Sequence, residues 1–73
     1  MNVKETPRER FKRIATYRVN MVLDRLDKLA NCANRNYYEY TEEDVKEIFR
    51  VIETKVKEVK ALFTFSKKKK FKL

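Results

Sequence analysis

The chain has 73 residues and a formal charge of +8, from 19 Lys and Arg against 11 Asp and Glu; it holds no Gly, His or Trp, one Pro and one Cys. Without His there is no imidazole base and no His-ligated zinc, and a lone Cys makes neither a disulfide nor a thiolate cluster. Without Gly there is no phosphate-cradling loop of the P-loop or dinucleotide type. These absences argue against enzymatic chemistry, and no cofactor, metal or small-molecule substrate is expected.

A domain of this length buries only about 60% of the surface its unfolded chain exposes. Disulfides and metals are the usual reinforcements, and the composition removes both, so pairing with a second copy or a partner protein becomes the default expectation. Cys32 stands alone, residues 1–10 form a charged segment without an apolar signal core, and no run approaches the ~20 apolar residues of a membrane span. These features point to a reducing, cytoplasmic setting.

Thr6, Pro7 and Glu9 open the first element: a Thr cap, a proline where its missing N–H costs nothing, and a Glu placed to complete a capping box. From there the apolar positions 11, 15, 19, 22, 26, 29 and 33 recur in steps of three and four, the spacing of an amphipathic helix. The pattern fails at Asn31, Asn34 and Asn36. Asparagine tolerates the left-handed conformation, so in a chain lacking Gly these residues are expected to end the helix, giving a first helix over about 7–34.

A link over 35–41 carries Tyr37, Tyr38 and Tyr40. These rings either close the end of the helical pair, with Tyr40 stapled on Val45, or stack on bases and form a binding hot spot. The structural role is favoured, because the tyrosines are remote from the basic segments. Cys32 reads as small filler beside the helix seam in preference to a redox switch, since no second thiol can resolve it.

Thr41 followed by Glu42, Glu43 and Asp44 starts a second helix over about 42–64, with acidic groups on the positive end of the helix dipole. Its apolar residues Val45, Phe49, Ile52, Val56, Val59 and Phe63 alternate steps of four and three, averaging close to 3.5. That period favours shallow-angle packing against another helix. Glu42 with Lys46 and Glu53 with Lys57 are spaced as i, i+4 ion pairs, each contributing only a few tenths of a kcal/mol. Two helices joined by so short a link predict an all-α antiparallel hairpin over 1–65, about 35–40 Å long at 1.5 Å per residue. Ile14, Met21, Leu23, Ile48, Val51 and Leu62 exceed what one helix–helix contact covers, so they are expected to line a second interface, in a four-helix bundle or against a partner.

Charge is uneven along the chain. Residues 1–20 carry six basic and two acidic groups, 21–40 three of each, 41–60 five and six, and 61–73 five basic and none acidic. Lys67, Lys68, Lys69, Lys70 and Lys72 form a tail, 66–73, whose mutual repulsion predicts disorder. Such a segment suits phosphate contact by counterion release; a solubilising end is the plainer role. Membrane-surface binding through the interleaved Phe63, Phe65, Phe71 and Leu73 is disfavoured, since no lipidation motif accompanies them. In a hairpin, Arg8, Arg10, Lys12, Arg13 and Arg18 come beside Lys57, Lys60 and the tail as one basic pole, with Glu9 and Glu58 available to neutralise part of it. The plainer reading is an ordinary charged helix end.

Residues 36–45 (NYYEYTEEDV), with Ile48, Phe49, Ile52, Glu53 and Phe63 after them, resemble a pattern in small helical-hairpin proteins of unassigned activity from plasmids, phages and conjugative elements of Gram-positive bacteria. The resemblance spans roughly residues 10–63 and carries over no functional residue. It implies an accessory or regulatory role in a mobile element. With the charge pattern, the expected activity is nucleic-acid binding, DNA or RNA, through the phosphate backbone. The alternative is a protein-interaction module that docks an apolar helical surface on a larger protein or nucleoprotein.

Overall fold

A computed structural model describes residues 4–63 and Phe65. The expected lysine tail, Thr64 at the predicted end of the second helix and residues 1–3 lie outside them. The described residues are all-α, with two α-helices, one 3₁₀ turn and no strand. The chain divides into two units, Met1–Glu39 and Tyr40–Leu73.

In the first unit, helix α1 spans Pro7–Ala30, 24 residues or about 36 Å at the standard rise. Thr6 is extended (φ −72°, ψ 159°) and caps the helix. Its hydroxyl accepts from the Glu9 N–H at 3.1 Å while its own N–H donates to the Glu9 carboxylate at 3.1 Å, so the predicted capping box forms in full. Pro7 takes the first helical position, as predicted.

α1 ends at the predicted asparagines, with Asn31 as its cap, but without the left-handed conformation expected of them. No described residue has positive φ. The α-helix stops at Ala30, short of the expected residue 34, and tightens into a 3₁₀ turn over Asn31–Ala33. Asn34 then leaves in an extended conformation (φ −72°, ψ 103°). It ends the helix by accepting hydrogen bonds: its side-chain oxygen takes the Asn36 N–H at 3.0 Å, and its carbonyl takes Tyr37 N–H at 3.2 Å and Tyr38 N–H at 3.0 Å. Asparagine competes with a helix through its own amide group, and here that chemistry acts without a left-handed residue.

In the second unit, helix α2 spans Glu42–Ala61, 20 residues or about 30 Å. Thr41 caps it, accepting from Asp44 N–H at 3.0 Å and donating its N–H to the Asp44 carboxylate at 2.9 Å. Asp44 thus does the work usually assigned to Glu or Gln at that position. Tyr40 precedes the cap and Val45 is the fourth helical residue, the two staple positions, and both are half-buried. α2 ends three residues before the predicted boundary, where Leu62 and Phe63 donate across three residues to Val59 and Lys60, both at 3.0 Å. A chain without Gly has no easy left-handed stop, and the last carbonyls are satisfied by tightened turns.

No described residue is buried. Along α1, Ile14, Ala15 and Leu29 are half-buried; along α2, Val45 and Ile52 are. Phe49, Val56 and Val59 on the same α2 stripe remain 44–58% exposed. A helix shades its own side chains only through neighbours three and four residues away, which leaves such a stripe as surface. Among the described residues neither predicted ion pair forms; within the helices Asp24 pairs with Lys28 at 3.3 Å, Glu47 with Arg50, and Lys55 with Glu58 at 3.1 Å.

Candidate nucleic-acid interface

Arg8, Arg10, Lys12 and Arg13 occupy the first two turns of α1 and Arg18 its middle. At 100° per residue they do not share a face. Arg8 and Lys12, four apart, lie on one side, continuing the line of the apolar stripe toward the N-terminus; Arg10 and Arg13 lie roughly 150° away; Arg18 points in a third direction.

The Arg10 and Arg13 pair is organised by Glu5. Arg13 donates through Nε at 2.7 Å and through its terminal nitrogen at 2.9 Å to the two Glu5 oxygens, a bidentate fork, and Arg10 Nε lies 3.9 Å from the same carboxylate. The Arg13 hydrogen bond holds the Glu5 carboxyl below its ordinary range, and Glu5 in turn keeps Arg13 more firmly protonated. The Glu9 carboxyl is also lowered, first by the backbone N–H of Thr6. Glu9 is committed to the helix cap and Glu58 to Lys55, so neither forms an ion pair with Arg8, Lys12 or Arg18.

Lys57 and Lys60 lie in the last turns of α2. Two further basic residues share their side of the helix: Lys46, Arg50, Lys57 and Lys60 fall within an arc of roughly 80°, with Glu53 among them. Residues 41–60 sum to −1, yet the helix gathers these cations on one side. Arg50 forks onto Glu47, with Nε at 3.0 Å, and the contact lowers the Glu47 carboxyl and raises Arg50. Lys67, Lys68, Lys69, Lys70 and Lys72 lie outside the described residues.

The predicted interface residues sort by flank. Ile48, Val51 and Leu62 line one edge of the α2 stripe, exposed by 41%, 52% and 81%. On α1, Ile14 and Met21 are seven apart on one flank, whereas Leu23 falls on the other. Tyr37 and Tyr38 are exposed and Tyr40 is half-buried. Cys32 is exposed. Among the described residues no group of three or more His, Cys, Asp or Glu is placed to hold a metal ion, and no helix is long and apolar enough to cross a membrane. No protein-family model matches the chain, and neither a curated protein nor a solved structure matches it.

Proposed function

We propose that the chain is a small non-enzymatic nucleic-acid-binding protein, an accessory or regulatory component of a mobile genetic element. Its two helices fold back as an antiparallel hairpin, two hairpins pair in a four-helix bundle, and the basic start of α1, the end of α2 and the lysine tail contact phosphates. The observation that carries this reading is the placement of charge: 11 of the 19 basic residues fall in residues 1–20 and 61–73 against two of the 11 acidic ones. Among the described residues Arg8, Lys12 and Arg18 form no ion pair, which supports their donors meeting phosphate oxygens. Exposed apolar stripes on both helices support pairing, since helices of 20–24 residues gain most of their stability from a packed face.

The test is fluorescence anisotropy with a labelled oligonucleotide, comparing the full chain, a chain lacking residues 66–73, and an Arg8→Ala/Lys12→Ala variant. Each removal of phosphate contacts is expected to weaken binding to all sequences alike and to flatten its dependence on salt. Unchanged affinity in both variants contradicts the proposal.

The second reading, a protein-interaction module, draws on the Ile48, Val51 and Leu62 edge of α2. Its mark is loss of activity on Val51→Asp with the truncated and Arg8→Ala/Lys12→Ala chains still active.

A further inference from the structure

We propose that Tyr37 and Tyr38 form a stacking platform for unpaired nucleobases, so that the nucleic acid taken by this chain is single-stranded or presents unpaired loops. The inference rests on the nucleic-acid reading above and names the ligand class within it.

Three observations carry it. The two rings are consecutive and exposed, Tyr37 by 80% and Tyr38 by 53%, although each is a large apolar surface. The backbone beneath them is fixed: Asn34 accepts the N–H groups of Asn36, Tyr37 and Tyr38 at 3.0, 3.2 and 3.0 Å, so three successive donors converge on one residue. The platform is therefore presented from a hydrogen-bonded turn, at little further ordering cost on binding. Finally, the same turn supplies an amide at Asn36, a group that reads base edges.

The chemistry selects bases over other ligands. A tyrosine ring offers a flat face to any base and a hydroxyl to a base edge or a ribose 2′-OH. In a duplex the base faces are already stacked on one another and unavailable, so a ring platform gains contact only with unpaired strands. A single strand long enough to run from the rings to the remote basic segments gives its bases to the one and its phosphates to the other.

The experiment measures binding of a labelled single-stranded oligouridylate and of a short RNA duplex to the wild-type chain, to Tyr37→Ala/Tyr38→Ala and to Tyr37→Phe/Tyr38→Phe, with tyrosine emission followed in parallel. Both substitutions lie outside the helices, and an unchanged helical circular dichroism signal verifies the fold. The expected result is quenched tyrosine emission with the single strand, about ten-fold weaker single-strand binding for the alanine pair, unchanged duplex binding, and near wild-type binding for the phenylalanine pair. Single-strand affinity untouched by the alanine pair, or lost equally with duplex affinity, overturns the platform while leaving nucleic-acid binding intact. Failure of the wild-type chain to bind either oligonucleotide overturns the nucleic-acid reading itself.

Discussion

Two reciprocal caps set the helix starts at the level of single side chains. Thr41 and Asp44 exchange hydrogen bonds at 2.9 and 3.0 Å, so Thr41→Ala removes one acceptor and leaves the Asp44 N–H dependent on water. The expected cost is about 1 kcal/mol, seen as a lower thermal midpoint. At the other cap Glu9 has a lowered carboxyl pKa, and so does Glu5 against Arg13. Folding therefore releases protons in acid: the stabilisation is complete above the usual carboxylate value of 4.5 and fades as pH falls through the lowered folded values. Helical signal is expected to stay flat from neutral pH to about that value and decline below it. Glu9→Gln keeps a side-chain acceptor for the Thr6 N–H and is expected to remove the Glu9 share of that decline. The Thr6, Pro7 and Glu9 signature is readable in sequence because all three residue types are the favoured ones. Asp44 escaped because Asp is the less familiar partner at its position, and Asn34 because its acceptor chemistry replaced the left-handed residue that its type suggests.

At the scale of the element, α2 is the clearest amphipathic segment and the better test of how the helices are stabilised. Its stripe of Val45, Phe49, Ile52, Val56 and Val59 is legible from spacing alone, while its end at Ala61 is not, because only the stop chemistry of a glycine-free chain fixes it. The basic stripe of Lys46, Arg50, Lys57 and Lys60 was missed for a different reason: charge summed along the chain averages over faces that a helix separates. Ile52 is half-buried at the centre of the apolar stripe. Ile52→Asp is expected to lower the helical signal by roughly half and to abolish any mass increase with concentration in light scattering, since a packed face supplies most of the stability of a helix this short. A variant as helical as the wild type shows that α2 needs no packed face.

For the molecule as a whole, the absence of Gly, the single Pro and the two periodic stripes make the all-α class legible, and the two helices form where the apolar periodicity places them. Their pairing is a weaker sequence signal, because the same stripe serves a partner helix in its own chain, in a second copy or in another protein. The candidate site divides in the same way. Basic residues near each end are plain in the sequence, but the helix geometry splits those of α1 over three directions, and Glu5 draws Arg10 and Arg13 away from the rest. Glu5→Gln removes the anion in that fork, and it is expected to raise affinity for nucleic acid severalfold at low salt by freeing both arginines for phosphate.

If phosphate contacts dominate binding, as we propose, affinity depends steeply on salt. Anisotropy with one short oligonucleotide, measured from about 50 to 200 mM monovalent salt, is expected to show affinity falling by about 10³ or more if six or more phosphates are engaged. Binding that is independent of salt over that range, or no binding at the lowest salt, rules out a phosphate-dominated contact.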